Sequence, residues 1–270
     1  IENADRIKSK LEEQPNDIII EVKNIKYNDP IFTFVSMRDL ISDEFHSNDY
    51  NNILIDITAF THEHLLMILK IVSEYKQSNM NIQFCYASAK NYGVDLENYE
   101  DMWLTKGISD IRSIIGYPGF SDPTKRNHLM IIMGFEKERV TKVIEKFEYD
   151  EITLCIGSEH ASVSKEMFLI NQKICDSIID NSPSVHKYMI SLTDIEDAKN
   201  QLEAYLRQKS EFNNVIIPMN NKISTIAAGL LAIENKDIQI CYVSADEYNQ
   251  DNYSKAGEKF YLFSQIGNRI

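Results

Sequence analysis

The chain is poor in the residues that punctuate or staple a fold. Nine Gly and 6 Pro in 270 residues exclude collagen-like and Pro/Gly-rich low-complexity classes. The 4 cysteines, Cys85, Cys155, Cys175 and Cys241, stand singly in apolar runs without a Cys-x-x-Cys pair. No disulfide framework or cysteine zinc site is spelled out, and free buried thiols in a reducing compartment are expected. Positive charge is scarce: 28 basic side chains face 41 acidic ones, for a formal charge of −13 at pH 7. Such a surface repels phosphate backbones, and Lys125-Arg126 beside His128 is too short a basic stretch to offset it, so no nucleic-acid partner is expected. No apolar run reaches the length of a membrane span and no secretory pattern opens the chain, so no membrane partner and a cytoplasmic location are expected. The chain starts at Ile1 rather than at a Met, and whether residues precede it is not legible. The wealth of Asn, Ile and Lys reads as a bacterial-type genome bias.

Motifs of common chemistries are missing as well. There is no Gly-x-Gly-x-x-Gly, no Walker A loop and no Gly-x-Ser-x-Gly, so ordinary dinucleotide, P-loop and serine-hydrolase readings lack their signatures and no cofactor can be named. His62, Glu63 and His64 invite a metal reading, but residues i and i+2 diverge on a helix and no other ligand spacing supports them.

What is present is a large core and a repetition. Apolar residues make up 43% of the chain, 10% of it aromatic, enough to exclude global disorder. Ile82-Gln83-Phe84-Cys85-Tyr86-Ala87-Ser88-Ala89-Lys90-Asn91-Tyr92 returns as Ile238-Gln239-Ile240-Cys241-Tyr242-Val243-Ser244-Ala245-Asp246-Glu247-Tyr248, with 7 of 11 positions identical at an offset of 156. Upstream, the ladder Ile53–Thr58 matches Val215–Asn220 at an offset of 162, so the divergence falls between strands. Duplication of a strand-helix-strand unit is the expectation.

Along the chain, helices are expected at Ala4–Glu13, Met37–Phe45, His64–Tyr75, Glu136–Phe147, Ser164–Ile179, from a Thr193-x-x-Glu196 capping box to Lys209, and at Ser224–Ile233. Strands are expected at Asp17–Lys23, Asn52–Ile57, Asn81–Tyr86, Leu129–Met133, Glu151–Ile156, Lys187–Leu192, Asn214–Pro218, Asp237–Tyr242 and Lys259–Phe263. The alternation predicts an α/β fold with a mostly parallel, doubly wound Rossmann-like sheet built from two related halves. The halves are residues 1–122, with an irregular crossing segment at 93–122, and 123–270. Their boundary lies at the Gly/Pro-rich Gly116–Pro123.

In such sheets ligands bind beyond the carboxyl ends of strands, where helix N-termini present N–H groups. Three polar junctions meet that description. Asn220, Asn221, Lys222, Ser224 and Thr225 precede or open an apolar helix and suit a phosphate or carboxylate, although Ser224 also reads as a plain cap. Asp56, with Thr58 and Thr61 behind it, would accept hydroxyls, or act as general base or metal ligand if the protein is an enzyme. Gly134 allows a sharp turn after a buried strand, and Arg139, a turn into the next helix, either reaches the same edge or pairs with its neighbours on the helix surface, the second being the expectation. The repeated Tyr86/Tyr242, Ser88/Ser244 and Tyr92/Tyr248 follow strand ends and could flank a planar group, although a Tyr there also reads as cover for the sheet edge. The plan resembles, at the level of fold alone, Rossmann-like modules that sense nucleotide messengers at a pseudo-twofold cleft. The expectation is a small-molecule binding or sensing protein whose ligand is anionic and nucleotide-like. The alternatives are an enzyme acting on nucleoside, nucleotide or sugar-phosphate bonds, and a scaffold contacting partners through Tyr92–Phe120, with a homodimer or a larger complex compatible with each.

Overall fold

The computed structural model describes residues 9–10, 29–47, 52–93, 97, 103–146, 148–180, 182, 184–249 and 254–264. The strand expected at Asp17–Lys23, and all of the Ala4–Glu13 helix except Ser9 and Lys10, lie outside them.

Apolar β-branched runs form the centre of the molecule. β5 (Arg126–Ile132), β6 (Glu151–Gly157), β7 (Val185–Ile190), β8 (Phe212–Pro218) and β9 (Gln239–Ser244) lie parallel in a six-stranded sheet. Its edge strand β4 (Asp110–Pro118) runs antiparallel to β9, and the order is β4-β9-β8-β5-β6-β7. Chain order therefore runs outward from β5 through β6 to β7, then returns to β8 on the other side of β5.

Side chains alternate across this sheet into two cores. Met130, Ile132, Cys155, Ile216 and Ile240 face one side, where α5 (Ile195–Arg207), α6 (Lys222–Glu234) and α2 (His62–Tyr75) cover them. Leu129, Ile131, Leu154, Ile156 and Ile217 face the other, under α3 (Lys137–Lys146) and α4 (Lys165–Ile179). Burial on both faces is why these strands read as unbroken apolar runs rather than as an alternation.

A second, three-stranded sheet is made of β1 (Asn52–Asp56), β2 (Asn81–Tyr92) and β11 (Ser254–Phe263), in the order β1-β2-β11. β1 and β2 are parallel and linked by α2, while β11 is antiparallel to β2. A two-stranded ribbon pairs β3 (Thr105–Lys106) with β10 (Glu247–Tyr248). α1 (Pro30–Ser47) packs on α2, and α2 packs on α6. The α2–α6 crossing is tight at Gly229, where an added Cβ would lie 2.5 Å from Leu66 Cδ2. Small residues at such crossings let two helix surfaces interlock.

Several expectations need adjustment. β4 falls in the segment expected to be irregular, and β2 and β11 run longer than their apolar patches. α1 begins seven residues before the expected Met37, because Asp29 accepts from Phe32 N at 2.9 Å and Pro30 fits the first helical position. The expected Thr193 capping box is not the cap of α5. Asp194 takes that role, accepting from Asp197 N at 2.9 Å, in keeping with the higher N-cap preference of Asp over Thr. All four cysteines are free thiols. Among the described residues no helix is long and apolar enough to cross a membrane.

Candidate functional site

Where chain order reverses between β5 and β8, no helix can follow both strands in the same direction, and a crevice opens beyond their carboxyl ends. Gly134 follows β5 here, and an added Cβ would sit 2.7 Å from the Met219 carbonyl that follows β8. Only glycine lets the two strand ends approach so closely. A cavity of about 410 Å³ lies above this point, within the range of small-molecule pockets. β2 and β11 form the opposite wall, and the first turns of α4 and α6 contribute the sides.

Eight of the candidate ligand residues named above line this cavity: Thr58, Tyr86, Ser88, Tyr92, Gly134, Asn220, Asn221 and Lys222. They come from three junctions far apart in sequence and from β2, which the fold brings to one place. Thr58 Oγ1 accepts from Ala87 N at 3.0 Å and pins the middle of β2, just beyond the end of its pairing with β1. Ser88 Oγ donates to the Lys259 carbonyl at 3.2 Å, tying β2 to β11. Asn220 Nδ2 donates to the Met133 carbonyl, and Asn221 Nδ2 to the Leu192 carbonyl at 2.7 Å. Asn221 Oδ1 also caps α6 by accepting from Ser224 N at 3.0 Å.

Lys222 is the first residue of α6. Its Nζ donates to the Phe60 carbonyl and stands 5.8 Å from the Tyr86 ring centroid. Burial pulls its proton affinity down to about 8 from 10.5, opposed only partly by the charge of Asp56. Among the described residues no carboxylate forms an ion pair with it. A desolvated cation at the positive end of a helix lacks its compensating charge.

The other named residues stand apart from the cavity. Asp56 is exposed, with Oδ1 accepting from Thr58 N at 2.8 Å. Thr61 is the N-cap of α2, accepting from His64 N at 3.1 Å. Ser224 and Thr225 are fully buried, and both donate to the Asn221 carbonyl at 3.0 Å. Tyr242 and Ser244 lie at the second copy of the repeat. There the space beside Tyr242 is filled by Arg112, whose guanidinium is 5.5 Å from the ring centroid and makes a two-point bond with Glu63 at 2.8 and 2.7 Å. Each copy nonetheless keeps its tyrosine pair: Tyr242 and Tyr248 hydroxyls are 3.3 Å apart, and Tyr92 is hydrogen-bonded to Tyr86.

Further residues complete the site. Tyr92 and Phe135, ring centroids 5.8 Å apart, supply an aromatic corner. His62 and Asn171 line the wall, as does Glu136. The reading of Arg139 as a surface residue is corrected: it is 7% exposed, bonded to Glu136 at 2.9 Å, to Thr105 at 2.7 Å and to the Val243 carbonyl. The ribbon of β3 and β10 brings Thr105 and its neighbours over α3 and encloses the guanidinium, which no local spacing announces. The sequence marked His62 only as a member of a metal set with Glu63 and His64, at a strand-to-helix junction. Among the described residues no group of three His, Cys, Asp or Glu is placed to hold a metal ion.

No protein-family model matches the chain, and no curated protein matches it in sequence.

Proposed function

We propose that the chain binds a small anionic, nucleotide-like ligand in this cavity, as a sensor or carrier rather than as a nucleic-acid or membrane protein. The observation that carries the reading is Lys222: a cation held out of water at a helix N-terminus, without a carboxylate partner, in a cavity with aromatic walls. An anion arriving there regains the Coulomb energy that burial removed. Tyr86, Tyr92 and Phe135 offer faces to a planar base. The acidic exterior, at −13 overall, would keep polyanions away while the interior admits a small one.

The same proposal includes a doubly wound origin in two related halves, 1–122 and 123–270. It is supported by the two copies each forming the second strand of a parallel strand-helix-strand unit, each beside an antiparallel strand. A cytoplasmic location and assembly as a homodimer or within a larger complex belong to it too.

Thermal unfolding with inorganic phosphate, nucleoside monophosphates and sugar phosphates tests the reading. Stabilisation by at least one phosphate ester, abolished in Lys222→Met, is expected; indifference of the wild type to the whole panel would overturn it. A second reading, an enzyme acting on nucleotides or sugar phosphates, is favoured by the lowered proton affinity of Lys222, which leaves part of the amine neutral and nucleophilic near pH 8. Release of a changed product from such a ligand would establish it.

A further inference from the structure

The cavity contains a histidine whose ring is held in one orientation from outside its own junction. His62 opens α2, and its Nδ1 lies 2.9 Å from the Pro218 carbonyl at the end of β8 and 3.3 Å from Thr225 Oγ1 in α6. A carbonyl only accepts, so Nδ1 carries the hydrogen. Burial, and next the charge on Lys222, push the imidazole down to about 4, so the ring is neutral at physiological pH. Its Nε2 therefore presents a lone pair, and among the described residues nothing donates to it.

A second acceptor lining the cavity also lacks a donor. Asn171 is 3% exposed, and its Nδ2 is committed to the Met133 and Gly134 carbonyls at 3.2 and 2.6 Å. That fixes the amide's orientation and leaves Oδ1 buried without a partner. Glu136 adds a carboxylate to the lining. Glu136 is already served by Arg139 and Thr105, so His62 Nε2 and Asn171 Oδ1 are the two acceptors that want a donor, which a bare anion does not bring.

We infer that His62 is a specificity-determining residue, its Nε2 accepting from a ribose hydroxyl of a nucleotide whose phosphate is held by Lys222. The inference rests on the anion-binding reading above and adds to it: the ligand must carry a sugar hydroxyl, and a deoxygenated analogue is refused. A site built around a hydroxyl discriminates strongly against its absence, because the acceptor is then left unpaired.

Calorimetric titration with adenosine 5′-monophosphate, 2′,3′-dideoxyadenosine 5′-monophosphate, ribose 5-phosphate and inorganic phosphate tests it, on wild type, His62→Asn and Lys222→Met. Asn places an amide N–H where Nδ1–H stood, so the Pro218 bond is kept while the outer acceptor is deleted. The wild type is expected to prefer the ribonucleotide over its dideoxy analogue by about tenfold or more, the scale of one good hydrogen bond. His62→Asn should bring the two together while still binding phosphate, and Lys222→Met should lose all four. Equal binding of the two nucleotides by wild type, or a preference that survives in His62→Asn, overturns the role of His62 and leaves the anion site standing. Failure of every probe to bind wild type overturns both readings. Tighter binding of ribose 5-phosphate than of the nucleotide overturns the assignment to a nucleotide. Should His62→Asn fail to fold, ¹⁵N resonances of wild-type imidazoles decide: His62 Nε2 must shift with the ribonucleotide and not with the dideoxy analogue, and an unmoved resonance refutes the inference.

Discussion

Replacing Lys222 by Met should make the protein more stable at neutral pH while removing its anion site. In the folded chain Lys222 releases its proton near pH 8 instead of 10.5 because burial disfavours the ammonium. At about 1.4 kcal/mol per tenfold change in proton affinity, holding it charged at pH 7 costs about 3 kcal/mol, trimmed to ~2 by its residual exposure to the cavity. The bond from Nζ to the Phe60 carbonyl offsets about 1 kcal/mol of this. Lys222→Met should therefore gain about 1 kcal/mol at pH 7, an instance of stability yielded to a binding site. The sign of the pH dependence is sharper. Between pH 8 and 10.5 the unfolded chain still holds this proton and the native chain has released it, so wild-type stability rises with pH across that window. Urea unfolding at pH 7.5 and 10.5, wild type against variant, should show the variant's advantage reverse by ~2 kcal/mol. Parallel behaviour of the two proteins would show that Lys222 is not desolvated, and the anion-site argument would fall with it.

Acid should act through His62, whose folded proton affinity lies at about 4 against an ordinary 6.5. Its contribution is complete above pH 6.5 and lost as pH falls through about 4, so His62→Asn should flatten the acid limb of a stability profile by roughly 2–3 kcal/mol. Arg139→Met should destabilise by ~3 kcal/mol in denaturant titration, because the Glu136 carboxylate, 2.9 Å from the guanidinium, is left charged and unpaired; adding Glu136→Gln should restore much of that. Gly229→Val should lower the melting temperature, at a cost of about 1–3 kcal/mol, since its branched side chain would enter the space of Leu66. Tyr117→Phe should cost about 1 kcal/mol by the same measurement, by deleting the 3.0 Å bond that the buried Tyr117 hydroxyl donates to the Leu66 carbonyl.

The strands of the large sheet were legible because burial on both faces leaves a long apolar word such as Leu129–Met133 or Val215–Ile217. β4 was not, since Asp110–Pro118 is a half-exposed edge strand with Gly116 and Pro118 in it, and its partner β9 lies more than a hundred residues downstream. Nothing local in Ser113 or Ile114 reports that pairing. The site divides along the same line. Lys222, Asn220 and Gly134 were readable because strand-to-helix junctions have a fixed polarity and their residues fall at a known edge of the sheet. Tyr242 and Ser244 matched Tyr86 and Ser88 in sequence yet stand away from the cavity, because the bonded pair of Arg112 and Glu63 fills the space beside Tyr242. Arg139 looked exposed because its helix has a charged surface, and only the ribbon of β3 and β10 closes over it. His62 needed the far end of β8 to reveal its orientation.

Each half of the chain lends an edge strand to the other: β4, from before residue 122, borders β9, and β11, from near the far end, borders β2. The molecule is thus laced rather than hinged. A protease cut in the exposed turn around Ser121 would leave two fragments that cling together through interleaved hydrogen-bond ladders, and neither piece expressed alone would inherit a complete sheet.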